Sequence, residues 1–427
     1  MATIDNPSRY LKFIRMPLDR HLFYNIAHRM GIFCPMRMVK YICFEKYTYR
    51  YPVIRPAAKR CGLPCRSLAR EMNEPSRTPG DASRRRLPDS LFRMMKKQGY
   101  HFVGAHSAVK ICAYASSGMK KGGKTCYKQR FYGIRSWRCI QASPAIGCNL
   151  ACAFCWRIIP EEAGIKWNEL NAVASWDDPE GIADGMIEEQ RRLVSGFKGM
   201  ENVDRTRWLE ANEPRHVALS LTGEPLFYPK MGELISAFHA RGISTFLVTN
   251  GTMAKALASL GTMPTQLYVS VQAPNREVYE RTVRPKTVGA WQKFMEFLEV
   301  FHGLETRKAF RMTLVKGLNM LDPAGYAELI KKGKPDYVEV KGFVFVGGAR
   351  GEGRGLTYGQ MPGKEEIMAF ASEVADLSGY LLVDYHESSK VALLCADRAA
   401  AERRIIDFAE AGGKSRTPHP GEGKNIA

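Results

Sequence analysis

Between residues 89 and 350, short apolar runs alternate with segments of helical period. The strand-like runs are SWRCIQASPAI (136–146), HVALSLT (216–222), STFLVTN (244–250), QLYVSVQA (266–273), FRMTLVKG (310–317) and DYVEVKGFVF (336–345). Each is rich in β-branched residues and short enough to cross a buried sheet once. Between them lie GIADGMIEEQRRLVSGF (181–197), MGELISAFHARG (231–242), MAKALASL (253–260), AWQKFMEFLEVFH (290–302) and AGYAELIKKG (324–333), which repeat their apolar positions at helical spacing. Six β/α units in series predict an α/β fold, a parallel sheet with helices outside it. Periodicity leaves open whether the sheet closes. Thr222, Asn250, Gln272, Lys316 and Lys341 fall at strand C-termini, where such folds keep their sites.

The flanks read differently. Residues 1–88 are basic and irregular, with 18 Lys/Arg against 6 Asp/Glu, and end in the linker-like EMNEPSRTPGDASRRRLP. Residues 351–395 follow a glycine-rich stretch, GGARGEGRG, that reads as a hinge; a further αβ segment comes next, and 396–427 ends in the polar GGKSRTPHPGEGKNIA, the composition of a disordered tail. No run of eighteen apolar residues and no apolar leader appears, so a cytoplasmic protein without a membrane span is expected. The net charge of +20, of which 12 lies in residues 1–88, predicts attraction to nucleic acid.

Eleven cysteines in such a chain point to metal or redox use rather than disulfides, and six fall between Cys112 and Cys155. Cys148, Cys152 and Cys155 form a tight Cys-x3-Cys-x2-Cys set just after the first strand. Three thiolates hold three irons of a [4Fe–4S] cube and leave the fourth iron free to chelate the amino and carboxylate groups of S-adenosylmethionine (SAM). A zinc knot would want a fourth ligand. The second strand runs into Thr222-Gly223-Glu224-Pro225, similar to the Gly-Gly-Glu element by which radical SAM enzymes bind the SAM amino group, with Thr222 in place of the first glycine. Asn250 and Ser270 are expected to contact the nucleoside or to cap the strand ends. Cys112, Cys126 and Cys139 recur at near-even intervals, which fits either a second cluster or three buried structural thiols. Gly118–Thr125 matches the phosphate-loop pattern G-x4-G-K-[ST], yet no amphipathic helix follows it, so nucleotide hydrolysis is not expected. Cys34, Cys43, Cys61 and Cys65 are too irregularly spaced for a metal site.

The segment GYHFVGAHSAVKICAY…TCYKQRFYGIRSWRCIQ…CNLACAFCWR resembles the archaeal tRNA 4-demethylwyosine synthases, relatives of the eukaryotic wybutosine enzymes. SLTGEP, FLVTNGT, YVSVQAPN, RPKT, RMTLVKGLNM and DYVEVKGFVFVG continue the likeness in order, and QMPGKEEIMAFASEVADLSGYLLVDYHESSKVALL resembles the family's closing segment. The resemblance covers roughly residues 89–395. It implies a partial (β/α)6 TIM-like radical SAM barrel over residues 140–350, a second-cluster segment over 89–139 and a wyosine-type segment over 351–395.

It also implies two [4Fe–4S] clusters, the second on Cys112, Cys126 and Cys139, and a reaction. N1-methylguanosine in tRNA(Phe) condenses with two carbons of pyruvate, after a 5′-deoxyadenosyl radical takes hydrogen from the N-methyl group. Pyruvate is held at the second cluster. The family's Schiff-base lysine falls on Lys128, with Lys316 and Lys341 as rivals. Gln272 stands where the family has an acidic residue and is assigned no catalytic role. Residues 1–88 do not match the flavodoxin module of the eukaryotic relatives, which implies an external reductant such as flavodoxin or ferredoxin; a monomer is expected. The alternatives are a radical SAM enzyme with another RNA or small-molecule substrate, or a non-catalytic iron–sulfur RNA-binding protein.

Overall fold

A computed structural model describes residues 87–170 and 175–408. Most of the basic N-terminal segment, with Cys34, Cys43, Cys61 and Cys65, lies outside the described residues, as does the end of the polar tail. A helix at Asp89–Lys97 opens the fold and buries Leu91 and Met95 against Tyr100 and Ala108. A hairpin of β1 (His101–Val103) and β2 (Ser107–Val109) follows, with β2 antiparallel to β3 (Cys139–Ser143). Then come β4 (His216–Leu219), β5 (Ser244–Thr249), β6 (Gln266–Ser270), β7 (Lys308–Leu314) and β8 (Tyr337–Gly342). Neighbours from β3 to β8 all pair in parallel. The C-terminal hairpin, β9 (Leu381–His386) and β10 (Val391–Cys395), adds β10 antiparallel to β8. The result is one open ten-stranded sheet with the order β1-β2-β3-β4-β5-β6-β7-β8-β10-β9.

All six expected strand runs are in place, and the parallel strands follow chain order because a helix returns the chain after each. The five expected helices lie at Pro179–Ser195, Met231–Ala240, Ala254–Ala258, Ala290–His302 and Pro323–Gly333. Two short helices, Arg205–Ala211 and Arg276–Val283, also form.

The two sheet faces differ. Ile140, Val217, Leu219, Leu247, Val269, Met312 and Val340 point outward and pack with the helices in the main core. The opposite face carries Ala218, Phe246, Tyr268, Ala309 and Tyr337, packed with Tyr127, Phe131 and Tyr132. Those three come from a six-residue helix, Tyr127–Tyr132, packed on that face. Glu339 on β8, fully buried, accepts hydrogen bonds from Tyr127 (2.8 Å) and Tyr132 (2.9 Å).

Within the stretch read as a hinge, Ala349 is fully buried and Arg354 is 4% exposed, while Gly347, Arg350, Gly351, Glu352, Gly353 and Gly355 are exposed. The phosphate-loop match runs from the end of one short helix, Ala113–Gly118, to the start of another, Tyr127–Tyr132, so a short helix does follow it, against the expectation; a helix rather than a strand leads into it. Of the tail, residues 396–408 are described; a helix at Arg398–Glu402 forms there, and the Ile406 amide donates to the Tyr132 carbonyl (3.1 Å).

Candidate active site

The loop after β3 holds Cys148, Cys152 and Cys155 as partly buried free thiols. Backbone bonds fix its path. The amides of Ala151 and Ala153 donate to Val283 and Thr282 (2.9 Å each), and Lys286 donates its amide to Asn149 (3.0 Å). Cations grip its carbonyls: Lys286 Nζ reaches the Cys148 carbonyl (3.2 Å) and Glu161 (2.7 Å), and Arg354 Nη1 reaches the Cys152 carbonyl (3.0 Å). Sequence reasoning gave neither cation a role. RPKT supplied Lys286, but a lysine after a proline carries no signal of its own, and Arg354 was hidden in the supposed hinge.

The turn after β4 abuts this loop. Gly223 has φ +72, and a Cβ there would run into the Ala145 carbonyl and within 2.7 Å of the Ile146 carbonyl carbon. Only glycine fits. The Glu224 amide donates to the Gly147 carbonyl (2.8 Å), and Thr222 is tied by its amide to Ser143 Oγ (2.6 Å). Glu224 is 1% exposed, and its carboxylate accepts from Thr249 Oγ1 (2.7 Å), the Asn250 amide (2.7 Å) and the Leu226 amide (3.1 Å). Burial pushes its carboxyl up to about 7, while those donors pull it back. Asn250 Nδ2 bonds Asn149 Oδ1 (2.8 Å) and approaches Cys148 Sγ (3.8 Å). Glu224, Asn250 and Cys148 therefore lie side by side where the turn of Thr222 and Gly223 meets the thiol loop. Ser270, half-buried at the end of β6, pairs in register with Arg311 on β7.

Burial raises the Cys148 thiol to about 12, with Glu224 and Cys155 adding to the effect, and holds Cys152 well above the usual thiol range, with Cys155 and Cys148 contributing. Thiols whose charges oppose one another need a cationic centre to be held as thiolates, which is the donor chemistry of an iron–sulfur cluster. Among the described residues, no three or more His, Cys, Asp or Glu are arranged to hold a single metal ion.

Cys112, Cys126 and Cys139 form a second group. Burial lifts Cys126 to about 11 and Cys139 to about 12; Cys112 adds to both, and Lys128 opposes both. Lys128 is 6% exposed, with Nζ 4.4 Å from the Tyr268 ring centroid and 4.8 Å from that of Phe246. Burial lowers its pKa; Glu339 opposes that and Arg311 reinforces it. Of the rival lysines, Lys316 pairs with Glu366 (3.1 Å) on the outside. Lys341 shares the surroundings of Lys128: burial, then Arg311, lowers its pKa to about 8 with Cys126 and Glu339 opposing, and its Nζ donates to the Ser389 carbonyl (2.8 Å). Gln272 supports backbone, accepting from the Thr313 amide (3.0 Å).

Residues 143–330 match the radical SAM superfamily, and residues 332–395 match the wyosine base formation family. An S-adenosyl-L-methionine-dependent tRNA 4-demethylwyosine synthase of Pyrococcus abyssi is 42% identical over 316 residues, 73% of this chain and 90% of that one. The Mus musculus enzyme is 37% identical over 75% of this chain but only 43% of its own length. Among solved structures, TYW1 with a lysine–pyruvate adduct bound superposes with a TM-score of 0.65 at 33% identity, covering 76% of this chain and 99% of that one. An archaeal TYW1 gives 0.59 at 30% identity, over 75% and 99%. With both matched regions and archaeal relatives aligned across 90% of their length, the chain belongs to the tRNA 4-demethylwyosine synthase family of radical SAM enzymes.

Proposed function

We propose that this protein condenses N1-methylguanosine of tRNA(Phe) with two carbons of pyruvate to give 4-demethylwyosine, using SAM and two [4Fe–4S] clusters. The observation that carries the reading is Lys128, a buried amine between two aromatic rings and beside the Cys126 and Cys139 thiols. Burial disfavours its ammonium form, which favours the neutral nucleophile. That amine adds to the ketone carbon of pyruvate and, with loss of water, forms an imine; exchange at the end frees the lysine.

Cys148, Cys152 and Cys155 hold the first cluster, and bound SAM there supplies the hydrogen-abstracting radical. Glu224 and Asn250 line its pocket; Glu224 is set to accept from the SAM amino group, and Thr222 and Gly223 shape the turn that brings it there. Ser270 lies further along the strand ends, towards the nucleoside. Cys112, Cys126 and Cys139 hold the second cluster, which places pyruvate within reach of Lys128. The basic charge draws tRNA, an external reductant supplies electrons, and the protein acts in the cytoplasm as a monomer. Among the described residues no helix is long and apolar enough to cross a membrane.

The test is direct. Anaerobically reconstituted protein, with reductant, SAM, pyruvate and N1-methylguanosine tRNA, should form the tricyclic base and carry about eight irons per chain. Borohydride should trap pyruvate on Lys128. Full iron loading with SAM cleavage but no tricyclic product would refute the reading.

A further inference from the structure

Arg157 follows the first thiol set by two residues and is 4% exposed. Its Nη1 donates to the Tyr100 hydroxyl (3.2 Å), but Nε and Nη2 are buried without a hydrogen-bond partner. The group is not loose. Its guanidinium carbon lies 3.0 Å from the Trp156 ring centroid and 5.9 Å from that of Tyr100. Its own carbonyl accepts from Arg354 Nη2 (3.3 Å), and the preceding carbonyl, of Trp156, accepts from the Gly348 amide (2.8 Å). An unpaired charge held this firmly out of water is costly unless an anion meets it.

The free atoms define the anion's shape. Nε and Nη2 form the side-on edge of the guanidinium, two parallel N–H donors at the spacing of a carboxylate's oxygens. The position defines where that anion sits. Arg157 feels the Cys155 thiol of the first set and the Cys112 thiol of the second, so it lies within electrostatic reach of both groups. Lys110, 5.0 Å from the centre of the Tyr100 ring on which Arg157 also rests, adds a second positive charge nearby.

We propose that the free Nε–Nη2 edge of Arg157 binds the carboxylate of the 2-oxo acid and seats it within reach of both thiol sets. This rests on the pyruvate reading above and adds a residue that determines substrate choice. SAM also carries a carboxylate, but its amino group hangs from the same carbon. A SAM molecule with its amino group at Glu224 keeps its carboxylate near that residue. Glu224 is shifted by burial and by the donors of Asn250, Thr249 and Leu226, with Arg157 not among the causes. Measured SAM affinity separates the two carboxylates.

The experiment uses full-length, anaerobically reconstituted wild type, Arg157→Gln and Arg157→Lys. Iron content, the EPR spectrum of the reduced clusters and SAM affinity by equilibrium dialysis are measured beside borohydride trapping of labelled pyruvate over a concentration range. Pyruvamide, which lacks the carboxylate, serves as the comparison. The expected result is a tenfold or larger rise in half-saturating pyruvate for Arg157→Gln, with SAM affinity and iron content within twofold of wild type. The wild-type preference for pyruvate over pyruvamide should collapse. Arg157→Lys keeps the charge without the paired donors, so it should be intermediate; it also decides the matter if the Gln variant loses iron.

Weakened SAM binding with unchanged pyruvate saturation would assign the edge to SAM and overturn the proposal. A change confined to the EPR spectrum would make Arg157 a counter-charge for a cluster, and also overturn it. If wild type itself traps no pyruvate, the functional reading fails first, and this inference with it.

Discussion

Gly223 sits where the strand-end turn meets the thiol loop, and its left-handed φ leaves no room for a side chain. Gly223→Ala costs about 1–2 kcal/mol in backbone strain alone. Relief requires moving the Ala145–Ile146 backbone, three to two residues before Cys148. The expected outcome is a lower urea midpoint together with weaker SAM binding, measured on the same preparation. An alanine variant with wild-type SAM affinity would mean that the turn and the thiol loop are not coupled.

His216 gives a second residue-scale expectation, with a sign fixed by burial. Its Nε2 accepts the Arg135 amide (3.2 Å), so the Nδ1 proton goes to Ser244 Oγ (2.8 Å), and the ring is neutral. Burial, then Arg138, Arg135 and Arg215, push its pKa down to about 3. The unfolded chain takes up that proton near pH 6.5. Stability from this group is therefore complete above about 6.5 and falls by about 1.4 kcal/mol per pH unit below it, towards the folded pKa. His216→Gln should flatten the pH dependence of the urea midpoint between pH 6.5 and 5. An unchanged slope would show that other groups drive acid unfolding.

At the scale of elements, the helix Tyr127–Tyr132 is too short to hold itself and is placed by its partners. Two tyrosines anchor it to Glu339, more than two hundred residues later in the chain, with Arg311 Nε 4.0 Å from the same carboxylate. Tyr127→Phe and Tyr132→Phe should each cost about 1–3 kcal/mol, because a buried carboxyl oxygen loses its donor. The double variant should cost more than the sum, since both oxygens then lose their hydrogen-bond donors. A double-mutant cycle by chemical denaturation reads this, and simple additivity would show that water replaces the tyrosines.

The same helix marks where the sequence stopped being legible. The six strand runs and five of the helices were readable because each has a local apolar period. Arg205–Ala211 and Arg276–Val283 were not, since RTRWLEA and REVYERTV are short, with charges at three of seven and four of eight positions. The site divides the same way. Three closely spaced cysteines announce their chemistry, and Thr222–Glu224 lies at a strand end that the pattern located. Glu339, Arg311 and Arg157 gain their meaning only from tertiary neighbours. A buried carboxylate in the run DYVEVKG looks like any outward-facing strand residue until the fold turns that face inward.

For the whole molecule, charge is the property that no single site explains. Residues 1–88 carry 12 of the 20 surplus positive charges, and the catalytic groups all lie after them. If that segment holds tRNA through phosphates, each neutralised phosphate releases counterions and steepens the fall of affinity with salt, by nearly one unit in log K per log unit of salt. Full-length protein should show a steep slope. Deleting residues 1–88 should make it shallower by several units while iron content and reductive SAM cleavage stay intact, because the thiol sets, Glu224 and Lys128 all lie among described elements that follow residue 88. Filter binding or fluorescence titration against N1-methylguanosine tRNA at four or five salt concentrations measures the slope. An unchanged slope would move the phosphate contacts onto the sheet domain. Loss of iron on deletion would instead tie the N-terminal segment to the cluster fold, which is the one result that would require the domain boundary at Asp89 to be abandoned.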